Sequence, residues 1–167
     1  MKHPEALPLE VEVYERGWMW AAAALVVMFL AVIIVPAAME SIHPPSHIET
    51  VDPAALGTHP EFANPTVTTT ADGRIMAPVV TSMFSFAPDP IVVPVNRPVT
   101  FRVTSSDVVH GFQVVGTNAN AMAIPGYVSQ FTVTFPKPGE YPIVCNEYCG
   151  GLHHYMVGHL IVKVAVP

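Results

Sequence analysis

Between Trp18 and Met39 the chain runs WMWAAAALVVMFLAVIIVPAAM, 22 residues without one charged side chain. About 20 helical residues cross a hydrocarbon layer of ~30 Å, and a helix satisfies each amide within its own segment, as lipid demands. We therefore read a single transmembrane helix over residues 18–39, with Trp18 and Trp20 at an interface where amphipathic rings settle. A cleaved signal peptide competes, because Ala37 and Ala38 resemble a small-residue cleavage site. Its apolar core, however, is usually only about 7 to 15 residues long. Lys2 and Arg16 precede the helix, and the next basic residue is Arg74. Since lysine and arginine favour the inner side, residues 1–17 read as a cytoplasmic leader and the larger C-terminal part faces outward. The leader's acidic residues (Glu5, Glu10, Glu12, Glu15) count for little in this rule.

With 167 residues in all, the remainder has room for one compact domain. Residues 40–66 carry Pro44, Pro45, Pro53, Pro60 and Pro65 with little hydrophobic periodicity, which predicts a stiff, extended tether. Residues 67–167 then form the domain. They contain short β-branched runs broken by turn residues: 75–81, 91–95, 99–105, 112–115, 128–135, 141–144 and 160–166. Strands of that length and spacing predict an all-β sandwich or barrel. In Val99 to Val103 (VTFRV) and Phe131 to Phe135 (FTVTF) every second residue is apolar, so one face of each strand packs a core. The net charge is -6 and no run of Lys or Arg occurs, which excludes the basic stripe that phosphate backbones require and with it a nucleic-acid partner.

The chemistry concentrates in Cys145 to Met156, CNEYCGGLHHYM, where Cys145, Cys149, His153 and Met156 stand in a Cys-x-x-x-Cys-x-x-x-His-x-x-Met spacing. Thiolate, imidazole and thioether together suit copper, whereas calcium and magnesium take oxygen ligands. A single-copper electron-transfer site needs one cysteine. A second thiolate four positions later allows both sulfurs to bridge two metals, each of which then needs a terminal imidazole. His153 supplies one; His110, in DVVHGF after the strand ending at Ser105, is the candidate for the other. Three plainer readings stand beside this one. Two cysteines in an exported domain commonly form a disulfide. Two Cys and two His also make a familiar zinc set, although zinc leaves Met156 without a role. A single-copper carrier with a spare cysteine is the third.

At these residues the sequence resembles the CuA domain of subunit II of haem-copper oxidases, in particular the short, single-helix form of the B-type, cytochrome ba-like branch. The resemblance spans nearly the whole chain. It implies a cupredoxin-like Greek-key β-sandwich behind one N-terminal transmembrane helix. It implies a dinuclear copper centre bridged by Cys145 and Cys149, with His110 and His153 as terminal ligands, Met156 as a weak axial ligand and the backbone carbonyl of Glu147 as the last donor. The short form has Gln where this chain has Glu147. The longer A-type form has Glu there, and its carboxylate reaches a magnesium shared with subunit I, so the resemblance extends to a magnesium contact by Glu147. A carboxylate at a wet subunit interface is the alternative. Family spacing favours His153 over His154, leaving His154 and His159, like His43, His47 and His59, at surface or interface positions. Phe84 and Phe86, in MFSFAPDP, match the aromatic segment near the family's donor-docking surface; plain core positions are the alternative for both.

The resemblance implies, finally, an electron-entry subunit in a prokaryotic plasma membrane with its domain on the outer face. Such a subunit takes single electrons from cytochrome c or a cupredoxin and passes them to haem in catalytic subunit I, which reduces oxygen to water; the chain itself turns nothing over. A nitric oxide reductase carrying the same domain, and a tethered copper-delivery or zinc-binding module, are the alternatives.

Overall fold

The structure, a computed structural model, describes residues 13–39 and 49–164. The chain divides into two compact units, Met1–Pro44 and Pro45–Pro167, considered in turn.

In the first unit, helix α1 spans Val13–Met39. Its 27 residues extend about 40 Å at the usual helical rise, and large apolar side chains cover every face. That distribution suits a helix surrounded by an apolar medium. The helix begins five residues before the apolar run, at Val13 instead of Trp18, because Tyr14, Glu15 and Arg16 all tolerate helical geometry and only Gly17 opposes it, by about 1 kcal/mol. The rest of the expected leader lies outside the described residues, as do Pro44, Pro45, His43 and His47 of the expected tether.

The second unit is a two-sheet sandwich. Its strands are β1 (Glu49–Thr50), β2 (Thr68–Thr69), β3 (Ile75–Ser82), β4 (Ser85–Ala87), β5 (Ile91–Pro94), β6 (Pro98–Ser105), β7 (His110–Val114), β8 (Asn120–Ala123), β9 (Tyr127–Thr134), β10 (Gly139–Val144) and β11 (Val157–Lys163). One sheet runs β1-β9-β6-β3-β2 with β4 on the end of β3; the other runs β5-β11-β10-β7-β8. The chain leaves the first sheet after β4, enters the second as β5 and returns as β6. This passage makes β6 parallel to β3, while β5 and β11 form a second parallel pair.

Alternation does the packing. Ile75, Ala77 and Val79 of β3 and Val99, Phe101 and Val103 of β6 all turn inward and are buried. They meet Phe112, Val114, Leu160 and Val162 from the facing sheet. Phe101 is the centre of this core, stacked on Phe131 at 5.3 Å and tilted against Phe112 at 5.6 Å. Burying each such side chain stabilises the fold by about 1.5–3 kcal/mol.

From Glu49 onward the expected tether is part of the domain. β1 pairs with β9, Asp52 accepts the Ala54 N–H at 2.9 Å to start a 3-10 helix over Pro53–Thr58, and Val51, Leu56 and Phe62 are buried against Val128. Arg102 fastens the segment to the sheet, donating to Glu49 and Glu61 at 2.6 Å each. These apolar residues stand five and six positions apart, a spacing that matches neither helix nor strand, so periodicity gave no sign of their burial.

Candidate metal centre

One end of the sandwich collects the β3–β4 turn, the β6–β7 turn and the loop from β10 to β11. The loop is closed at its base by the Val144–Val157 cross-strand pair and by the Cys145 N–H, which donates to the Met156 carbonyl at 3.3 Å. The first and last residues of the Cys145 to Met156 segment therefore face each other. Within the loop His153–Tyr155 forms a 3-10 turn, with the Met156 N–H donating to the His153 carbonyl at 3.1 Å. Residues three apart eclipse in such a turn. The His-x-x-Met spacing thus turns His153 and Met156 toward one side.

The second histidine enters from the neighbouring strand. His110 opens β7, which pairs with β10 through Gln113 and Val144; it is a strand residue and not part of a preceding loop. Gly111 lets the two elements approach. A Cβ at that position would lie 1.8 Å from Asn146 Oδ1 and 2.7 Å from the Asn146 backbone nitrogen, so no other residue fits. Gly150 serves the loop in the same way. Its φ of +135° suits glycine, and the Phe84 ring lies 3.2 Å from where a Cβ would sit.

These elements bring Cys145, Cys149, Met156 and His110 together, at 8%, 5%, 1% and 0% exposure. The two sulfurs lie 3.7 Å apart and both thiols are free. That separation far exceeds the S–S bond of about 2.05 Å, yet lets both sulfurs reach a common metal at bonds of about 2.3 Å. The remaining donors sort between the sulfurs. Beside Cys145 Sγ stand the Glu147 carbonyl at 3.1 Å and His110 Nδ1 at 3.9 Å. Beside Cys149 Sγ stand His153 Nδ1 at 3.5 Å and Met156 Sδ at 3.7 Å. Among the described residues, His110, Cys145 and Cys149 form the one group of three or more His, Cys or acidic residues whose ligand atoms lie within 4.8 Å of one another. His153 falls outside it. Burial pushes the Cys149 thiol up to about 11, with the Cys145 contact adding to the rise, so the thiolate needs a bound cation for stabilisation.

Asp107 was legible in DVVHGF as a residue but not as a contributor. Its Oδ1 lies 2.8 Å from His110 Nε2. Partial burial acts to raise its carboxyl, but hydrogen bonds from His110, the Met83 N–H and the Val108 N–H outweigh burial and hold it below the usual aspartate range.

The other expected positions fare differently. His154 is exposed with its ring 4.1 Å from Tyr155, and His159 is exposed beside Asp89 at 3.2 Å. His59 accepts the Glu61 N–H at 3.2 Å. Phe86 is buried edge-on to Phe112 at 5.9 Å and belongs to the core, which removes it from any docking surface. Phe84 is half-buried over the ligand loop. The Glu147 side chain is exposed and has no companion carboxylate or histidine cluster among the described residues; the expectation of magnesium finds no support in this chain. The donor set itself fits copper: two thiolates, two imidazoles, a thioether and a carbonyl.

The family described as cytochrome C oxidase subunit II, periplasmic domain, matches residues 70–164. A cytochrome c oxidase subunit 2 from Thermus thermophilus is 38% identical over 154 residues, covering 90% of this chain and 92% of that protein. A chain from a haem-copper terminal oxidase dimer solved by cryo-EM superposes with a TM-score of 0.64 at 29% identity, covering 91% of this chain and all of that one. The periplasmic domain of subunit II of cytochrome oxidase from Bradyrhizobium japonicum shares the fold, with a TM-score of 0.50 at 22% identity over 53% of this chain and 83% of that domain.

Proposed function

The chain belongs to the cytochrome c oxidase subunit II family, and on that premise we propose that it is the electron-entry subunit of its haem-copper oxidase, using a dinuclear copper centre held by the β10–β11 loop and His110. A bound copper pair supplies one-electron redox chemistry. The rest is done by the chain. Cys145 and Cys149 would bridge the pair, His110 and His153 would be the terminal imidazoles, and Met156 and the Glu147 carbonyl would supply the remaining, weaker donors. The observation carrying this reading is the number of donors, with two imidazole nitrogens, a thioether and a carbonyl gathered around two free sulfurs 3.7 Å apart. A single tetrahedral zinc would gather both imidazoles and both thiolates around one point, and His153 stands outside the compact group formed by the other three.

Donor atoms held by a closed hairpin and a sheet strand move little when the charge of a site changes, which keeps electron exchange fast. Partners follow from the same reading. The protein is membrane-anchored, and Lys2 and Arg16 ahead of the helix favour an outer-face position for the sandwich. There a one-electron donor such as cytochrome c or a cupredoxin meets the site, and the catalytic subunit receives the electrons for reduction of oxygen to water. Tyr148, Leu152 and Tyr155, all exposed on the ligand loop, offer a largely uncharged contact surface around the buried donors.

Metal analysis with electron paramagnetic resonance tests the proposal. The full chain should bind two coppers and show an unpaired electron shared between both nuclei, and Cys149→Ser should abolish that signature. One zinc per chain, or a Cys149→Ser variant that retains the shared-electron signal, would sink it.

A further inference from the structure

His110 and His153 present the same atom to the site but differ on their far sides. His153 is half-buried and has no carboxylate partner among the described residues, while His110 is fully buried with Nε2 against Asp107. The carboxylate is held as firmly as the ring. Asp107 Oδ2 accepts the Met83 N–H at 2.6 Å and Oδ1 accepts the Val108 N–H at 2.6 Å. Donors from two turns therefore prevent it from swinging away. An ionised carboxylate only accepts hydrogen bonds. The proton of the neutral His110 ring must then sit on Nε2, which leaves the Nδ1 lone pair directed toward Cys145 Sγ and the metal position.

We propose that Asp107 is a positioning residue for the metal centre: it fixes the tautomer and ring plane of His110, so that the His110 half of the site is rigid and strongly donating while the His153 half yields first. This rests on the copper reading given above. Carboxylate partners of ligand histidines raise the basicity of the ring and hold its orientation, and their loss typically weakens metal binding about 10–100-fold. A purely structural role, capping the β6–β7 turn through Val108, predicts lost stability with no change at the ligand ring. Asparagine separates the two. It keeps one acceptor oxygen, enough for the Val108 N–H, but has no charge and cannot serve both Met83 and His110 as the carboxylate does.

The test uses the full-length, copper-loaded protein in detergent, comparing the parent with Asp107→Asn, Asp107→Ala and, as a control at an exposed carboxylate paired with a histidine outside the site, Asp89→Asn. Paramagnetic proton NMR reads the exchangeable ring N–H of each ligand histidine, and competition with a chelator reads copper affinity. In the parent, one ligand-ring proton should exchange slowly with solvent and the other rapidly. Asp107→Ala should accelerate the slow one and lower copper affinity about 10–100-fold, Asp107→Asn should fall between, and Asp89→Asn should match the parent. Equal exchange of the two ring protons in the parent overturns the proposal without any variant, as do Asp107 variants with parental ring-proton exchange and copper affinity. A parent that binds no copper pair overturns the underlying reading of the site as well, which separates the two failures.

Discussion

Gly111→Ala isolates the contact that brings β7 up to the ligand loop. The added methyl would lie 1.8 Å from Asn146 Oδ1, 2.9 Å from its Cγ and 2.7 Å from its backbone nitrogen. The Asn146 side chain can rotate away, at the loss of its 3.2 Å hydrogen bond to Asn120. Its backbone cannot. Relaxing that contact from 2.7 Å to the ordinary 3.4 Å takes a shift of about 0.7 Å (3.4 minus 2.7) in a residue bonded directly to Cys145. Functional side chains need placement within about 0.5 Å, so the displacement reaches the metal donors. Overpacking of this kind costs about 1–3 kcal/mol, which corresponds to a fall in melting temperature of roughly 5–15 °C for a domain of this size. Thermal melts of the chain from Pro45 onward, without copper, read the stability; a copper titration followed by paramagnetic resonance reads the site. A variant that melts with the parent and reproduces its copper spectrum would refute the argument that Gly111 sets the distance between His110 and the cysteine loop.

Three further outcomes follow from other residues. Replacing Arg102 by Met should loosen the segment from Glu49 to Phe62 and cost about 1–2 kcal/mol, since charge-assisted hydrogen bonds are lost at a partly solvated site; faster proteolysis within that segment checks it. The pH dependence has a definite sign. Hydrogen bonding from Arg102 holds the Glu49 carboxyl below its ordinary range, so its contribution is complete above the unfolded value of about 4.3 and is lost as pH falls through the lower folded value. Urea midpoints between pH 6 and pH 3 should therefore fall more steeply in the parent than in Arg102→Met. For Met156→Leu, near-equal volume predicts a stability loss under about 1.5 kcal/mol, while removal of the thioether from beside Cys149 should alter the copper spectrum and reduction potential. An unchanged spectrum in that variant would show that Met156 merely fills space.

How much of this could be read from the residues depended on whether the relevant information was local. The apolar run from Trp18 needed only composition. The long strands β6 and β9 announced themselves by period-two patterning and β3 and β11 by β-branched runs, but β1, β2, β4 and β8, of two to four residues, are too short to show a period. The packed segment behind Glu49 went unread for a related reason: proline content argued for an extended chain, while Val51, Leu56 and Phe62 find their partners on a sheet far along the sequence. The ligand loop was legible because four side chains occupy twelve consecutive positions, and because a His-x-x-Met pair is one 3-10 turn. Phe84 and Phe86 show the limit of motif matching. They are two residues apart on the same short stretch, yet one caps Gly150 and the other is buried under Phe112.

Local spacing therefore selects which atoms are available as donors, but not how they are arranged around the two sulfurs. That second choice is made by the sheet. Pairing of β10 with β7 puts His110 on the Cys145 side, and closure of the β10–β11 hairpin puts Met156 on the Cys149 side. Shifting β7 by one residue would turn His110 to the opposite face, since successive strand residues point to alternate sides. The loop would then keep both cysteines, one histidine and the methionine, a set suited to a single copper. A bridged pair thus depends as much on the register of β7, pinned by Gly111 against Asn146, as on the cysteines that would form the bridge.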